Sequence, residues 1–240
     1  MTPDWYIIAL LCVVAAAAGW VDAVSGGGGL LQLPALLLVT PADQPASALG
    51  TNKLSSIFGT SAAAITYGRI EMPRLRTALP MAAAAFVGAA FGSLTAIHLP
   101  PSIFRPIILV ALIVVWLFIA LRRTFGLEGR EVSRGRHLVT AIVGGVAIGF
   151  YDGAIGPGTG SFLIVLLVAA VGYTFLQASA TAKIVNVGTN AASLIVFAVA
   201  DRFCGWSVFS WRRAMSPEPW WVRAWPSCAA ASSYVGYCSW

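Results

Sequence analysis

Charge is scarce in this chain. Asp, Glu, Lys and Arg make up 10% of 240 residues, where a soluble domain carries about 25%. That is too little polar side chain to clothe a water-facing surface, so an ordinary soluble enzyme and a disordered protein are both excluded. Cysteine is sparse too. Cys12 lies in an apolar run, and Cys204, Cys228 and Cys238 crowd the last forty residues without CxxC spacing, which excludes a disulfide scaffold. The two histidines, His98 and His137, have no Cys, His or carboxylate at ligand spacing, so neither a metal nor another cofactor is expected. Lysine is as rare as histidine. Thirteen of the fifteen cations are Arg, leaving Lys53 and Lys183. The arginines fall mostly between apolar runs, so the net charge of +6 reads as a positive-inside bias and nucleic acid is not an expected partner.

Apolar residues are plentiful. They make up 58% of the chain, and the mean hydropathy is +0.82. The fold class this implies is all-α: a polytopic membrane protein whose main partner is the lipid bilayer. Met1 to Trp5 carries no cation ahead of its apolar run, so Ile7–Ala18 reads as a retained helix and not as a secretory leader. A span needs about 20 apolar residues. That ruler gives Trp5–Val24, Ala46–Tyr67, Leu75–Leu99, Ser102–Leu121, His137–Tyr151 and Gln177–Ala200. Leu30–Thr40 and Ser161–Tyr173 are too short to cross alone and read as half-helices. Pro34 and Pro80 are expected kinks. The loops Gly68–Arg76 and Arg122–Arg136 carry the Arg excess and should be cytoplasmic.

An internal repeat organises the chain. Gly19-Trp20-Val21-Asp22-Ala23 is echoed by Gly149-Phe150-Tyr151-Asp152-Gly153, a displacement of 130 residues. The same offset relates Gly26 and Gly28 to Gly156 and Gly158, Thr51 to Thr181, and Lys53 to Lys183. Repeated halves with helices broken at matching places mark secondary transporters, often with the repeats inverted. The expected division is a first repeat over 1–121, a basic loop over 122–136 and an incomplete second repeat over 137–200. If Leu30–Thr40 crosses or fills the missing thickness with its neighbour, five passes separate the repeats and they run inverted; if it only dips in, four passes separate them and they are parallel.

The candidate site follows from the breaks and the buried charges. Gly26 to Gly29 and Gly156 to Gly160 interrupt apolar segments, which lipid tolerates only where protein or a water-filled cavity satisfies the backbone. The N–H groups opening the next half-helix form an anion site, although small residues also serve close helix packing. Asp22 and Asp152 close the first helix of each repeat, and Lys53 and Lys183 open the third. Ionised groups in lipid are costly and so mark a site or a partner. Two readings stay open. Either the lysines draw in an anion while an aspartate takes a proton, or the four charges form structural bridges, with Lys53 tied to Asp22. The candidate substrate- and ion-binding residues are Asp22, Gly26, Gly28, Thr51, Asn52, Lys53, Asp152, Gly156, Gly158, Thr181 and Lys183. Thr60, Asn186, Thr189 and Asn190 add polar groups nearby. No nucleophile–base arrangement stands out, so the chain is not expected to be an enzyme.

These motifs resemble a known family. Gly19 to Ala23 with the following glycines, Ala48-Leu49-Gly50-Thr51-Asn52-Lys53, and Phe58-Gly59-Thr60 are similar to the first signature of the sulfite exporter TauE/SafE family. Gly149 to Gly153, Gly156 to Gly160 and Ala180-Thr181-Ala182-Lys183 resemble its second. The resemblance covers about residues 5–200 and implies a bacterial inner-membrane transporter of sulfite, sulfonates or related small organic acids, with proton coupling a further expectation. The reading from another class is a non-transporting truncated product or an accessory membrane subunit. Ala182 stands where the first repeat has Asn52, so the two half-sites are not equivalent.

The last forty residues break the pattern. They hold six of the nine Trp, where the resemblance implies further membrane span. Codons for Trp220-Trp221-Val222 read one base out of register force Val-Gly, and the shifted frame continues as a plausible apolar helix. Residues 201–240 are therefore expected to be a frameshifted tail, against a rival reading as a tail with interfacial Trp anchors.

Overall fold

The computed structural model describes residues 13, 14, 16–22, 28–40, 44–121, 134–200 and 202. Gly26, most of the glycine run beside it, the basic loop over 122–133 and the tail over 203–240 lie outside the described residues. Among the described residues every regular element is helical. Residues 16–22 are helical. The elements that follow are α1 (Gly29–Val39), α2 (Pro45–Ile70), α3 (Leu75–His98), α4 (Pro101–Leu121), α5 (Arg134–Ala154), α6 (Thr159–Leu166) and α7 (Phe175–Val199). A π-helical turn over Leu167–Val171 extends α6 and ends at Gly172, whose φ is +82°. Both segments read as half-helices are short, and Pro34, Pro80 and Pro106 lie within helices.

The polarity of a soluble domain is reversed. Lys53 and Lys183 are among the largest fully buried side chains, while Ile113, Val114 and Trp116 of α4 stand more than half exposed. Charged residues are almost never fully buried unless paired, and an apolar outer face suits lipid. Helices α3 and α7 are long and apolar enough to cross a membrane. Helix α2 spans 26 residues but is studded with hydroxyls. Its own turns accommodate them: Thr51 donates to Ser47 O at 2.9 Å, and Thr60 to Ser56 O at 2.7 Å. Pro45 at the first turn of α2 costs no hydrogen bond, because that N–H has no partner in any helix. Thr174 caps α7 by accepting from the Gln177 N–H at 3.3 Å.

Two packings position the site. Helices α3 and α5 run parallel along a seam of small residues, with Met81, Ala85 and Ala89 facing Gly145, Gly149 and Gly153 in turn. A Cβ at 149 would stand 2.7 Å from Ala85 Cα, so the backbones touch, as small-residue seams allow. Ser93 Oγ donates to Gly153 O across this seam at 3.3 Å. Helices α2 and α7 run antiparallel. Gln177, at the start of α7, donates to Glu71, just past the end of α2, at 3.3 Å, and Asn190 donates to Thr60 further along at 3.3 Å.

The turn after α5 departs from the full span expected over His137–Tyr151. The Thr159 hydroxyl lies 2.6 Å from Asp152 Oδ1, and Gly144 faces Leu166, so α6 doubles back along α5. The returning chain reaches Tyr173, which donates to Thr77 Oγ1 at 2.8 Å beneath the Arg74 guanidinium, beside the start of α3. This pair is a hairpin that enters and leaves at one end. Its tip lies opposite Ala89 and Ser93 of α3.

Candidate functional site

The tip of that hairpin is a backbone break with two left-handed glycines, Gly156 at φ +95° and Gly158 at φ +79°. Tyr151 pins it, donating to Pro157 O at 2.7 Å and packing edge-on against Phe162. Gly156 also provides room, since a Cβ there would lie 3.4 Å from Lys53 Nζ. Gly158→Ala is expected to cost about 1–3 kcal/mol, because its Cβ would also run into Val115. A thermal melt in detergent, read beside Gly59→Ala, checks this; position 59 has open space among the described residues.

Across the other glycine run, α1 starts beside helical residues 16–22. Gly28 lies against Ala18 and Asp22, and its N–H reaches Asp22 Oδ1 at 3.4 Å. From there α1 runs to the opposite end of the molecule, where Arg105 near the start of α4 donates to Thr40 O at 3.0 Å and to Leu37 O at 3.4 Å. A cation on the last carbonyls of a helix offsets their negative partial charge. The two tips approach each other closely: a Cβ at Gly29 would lie 3.3 Å from Pro157 Cα.

The charges pair across the tips. Lys53 of α2 meets Asp152 of the second hairpin, Nζ to Oδ2 2.7 Å, with side chains 1% and 5% exposed. Lys183 of α7 meets Asp22 of the first, Nζ to Oδ2 3.5 Å, with side chains 2% and 16% exposed. Lys183 also donates to the main-chain oxygen of Asp22. The expected tie between Lys53 and Asp22 is therefore corrected. Each lysine reaches the aspartate of the other hairpin, because the hairpins enter from opposite ends and present their tips to the far helix.

Between the tips lies a polar cavity of about 20 Å³, lined by Asp22, Gly29, Asn52, Lys53, Ser56, Thr60, Asp152, Gly156, Gly158, Thr159, Gly160, Asn186 and Asn190. That is room for a water or two. Of the candidates read from sequence, Asp22, Asn52, Lys53, Asp152, Gly156 and Gly158 line it. Lys183 and Gly28 contact it through Asp22. Thr51 bonds back into its own helix, and neither Thr51 nor Thr181 reaches the cavity wall. Gly26 lies outside the described residues. Sequence reading missed Ser56 and Thr159. Thr159 carried a usable signal, since it stands 130 residues after Gly29 and so marks where the halves differ. Asn52 Oδ1 and Asn186 Oδ1 are buried without a hydrogen-bond partner among the described residues.

Broken helices that face a polar interior occur in many membrane transporters, and comparison with known proteins points to the same class. The family profile described as sulfite exporter TauE/SafE matches residues 11–236. The chain belongs to the sulfite exporter TauE/SafE family. It is 36% identical over 193 residues to the probable membrane transporter protein ORF9 of Sinorhizobium sp, covering 80% of this chain and 73% of that protein. It is 34% identical over 196 residues to the probable membrane transporter protein YfcA of Escherichia coli (strain K12), covering 82% and 72%. A probable membrane transporter protein of Haemophilus influenzae is 33% identical over 202 residues, covering 84% and 78%. No solved structure gives a significant match. As a TauE/SafE protein the chain is a membrane transporter.

Proposed function

We propose that this chain is a multi-pass secondary transporter of the bacterial inner membrane that moves small anions such as sulfite, sulfonates or related organic acids, coupled to protons. The observation that carries the reading is the cavity between the hairpin tips. Three positive elements converge on it: the Lys53 ammonium and the opening turns of α1 and α6, through Gly29, Thr159 and Gly160. Each helix N-terminus contributes about half a positive charge and free N–H groups. Ser56, Thr60, Asn52, Asn186 and Asn190 supply hydrogen bonds to replace a hydration shell. The cavity as described holds little more than a water, so substrate entry requires the hairpins to part. Saturable uptake or efflux of radiolabelled sulfite and simple sulfonates in vesicles is the expected result. No flux of any anion in that panel would overturn the reading.

The halves are best read as inverted repeats. The Lys53–Asp152 and Lys183–Asp22 pairs exchange under the 130-residue offset, and the equivalent helices α2 and α7 run antiparallel. Thr60 bonds Asn190, its own counterpart at that offset, as expected where a two-fold axis crosses the α2–α7 contact. The parity rule tying a dipping half-helix to parallel repeats breaks down here, because each first helix turns back with its half-helix. With the Arg-bearing loop 68–76 in the cytoplasm, the second hairpin enters from that side and the first from outside. Cysteine-accessibility labelling at Thr2 is expected to place it outside; cytoplasmic labelling would contradict inversion.

A further inference from the structure

We propose that the Asp152 carboxylate is a stand-in for the transported anion: in the empty site it holds the Lys53 ammonium that the substrate takes over, and its displacement unties the second hairpin from α2. This rests on the transporter reading above. The carboxylate sits where an anion would sit. Lys53 Nζ lies 2.7 Å from Oδ2, and the Thr159 hydroxyl, in the first turn of α6, lies 2.6 Å from Oδ1. An ammonium and a helix N-terminus are the donors from which an anion site is built. Asp152, Lys53, Thr159 and Gly160 all line the cavity between the tips. That cavity has room for about a water or two, so a sulfonate has to take the carboxylate's place beside the lysine.

The pair is suited to exchange. Oδ2 touches the ammonium at ion-pair distance but has no aligned hydrogen bond among the described residues, so the contact holds by charge. Oδ1 keeps the Thr159 hydroxyl when the lysine leaves, so the displaced carboxylate is not stripped of every partner. The site's own bonding is also incomplete. Asn52 Oδ1 and Asn186 Oδ1, both of residues that line the cavity, have no partner among the described residues. Buried polar atoms are nearly always bonded, and an amide turned over offers its NH2 to an oxyanion. The same ion pair is the charged link between α2 and α5. Among the described residues no hydrogen bond joins those two helices, whereas α5 is fixed to α3 by the small-residue seam and the Ser93 bond. Releasing the pair lets α2 part from the second hairpin while the hairpin stays on α3.

Asp152→Asn removes the competing charge and tests this on the full chain, with methanesulfonate as the probe. A site held by its own carboxylate is open to the anion only a fraction of the time, so titration calorimetry should give a Kd at least about tenfold lower in the variant than in wild type. In vesicles KM for methanesulfonate should fall and maximal flux should fall with it, because no carboxylate returns to Lys53 to expel the anion. A Kd unchanged or raised in Asp152→Asn, as a purely structural bridge would give, overturns the inference. Should that variant not fold, infrared difference spectra of the wild type carry the test. Methanesulfonate is expected to shift a carboxylate stretching band, and the band should move in Asp152→Glu; no carboxylate band that responds to both overturns the inference. Wild-type protein that moves neither sulfite nor methanesulfonate would defeat the transporter reading and the inference with it, whereas flux without tighter binding in Asp152→Asn defeats the inference alone.

Discussion

Lys53→Met is expected to destabilise the protein by about 3–5 kcal/mol and to abolish transport. The substitution leaves Asp152 buried at 5% exposure with, among the described residues, the Thr159 hydroxyl as its remaining side-chain partner, and an uncompensated buried charge is costly. Adding Asp152→Asn removes that charge as well, so the double variant should regain its expression level and melting temperature in detergent. Adding Asp22→Asn instead should not, because Asp22 pairs with Lys183. This contrast tests the crossed pairing directly. Transport then separates structure from function. If Lys53 serves the substrate, Lys53→Met with Asp152→Asn folds without moving anions. Recovery of both folding and transport would reduce Lys53 to a structural bridge.

Gly149→Leu should be nearly as damaging, at about 3 kcal/mol, through packing and not charge. Its side chain would be driven into the Ala85 backbone at the centre of the α3–α5 seam. Separating those helices would also break the Ser93 bond to Gly153 O and shift Asp152, one residue before Gly153. Gly59→Ala is the matched control. Position 59 faces open space among the described residues, so alanine there should gain about 1 kcal/mol of helix propensity. Monodisperse yield after size-exclusion chromatography would distinguish them: a collapsed peak for Gly149→Leu and an unchanged or larger one for Gly59→Ala.

Much of this was legible in the residues. An apolar ruler places α3 within a residue at its end, because its boundaries are loop residues that lipid rejects. It also flags α1 and α6 as too short to cross. What the ruler cannot see is direction. A full span and the leg of a hairpin are equally apolar, so α5 reads as a crossing although the chain turns back after Asp152. Pairing is hidden for a related reason. Both lysines and both aspartates stand out by their cost in lipid, but Lys53 and Asp152 lie far apart in sequence, and only the opposed entry of the hairpins joins them. The α3–α5 seam could have been read from Gly145, Gly149 and Gly153 at four-residue spacing against Met81, Ala85 and Ala89. That spacing gives a small-residue face without naming its partner.

The central claim is that the cavity between the hairpin tips is where the anion sits. Ser56 lines that cavity and is partly accessible, so a cysteine placed there, with the four native cysteines replaced by serine, reports its occupancy. The most direct measurement is the rate at which a methanethiosulfonate reagent modifies Ser56→Cys in proteoliposomes, with and without a small transported sulfonate. The account predicts modification that the sulfonate slows in a saturable way, with the protection lost in Lys53→Met combined with Asp152→Asn. A rate unaffected by any transported sulfonate would contradict it.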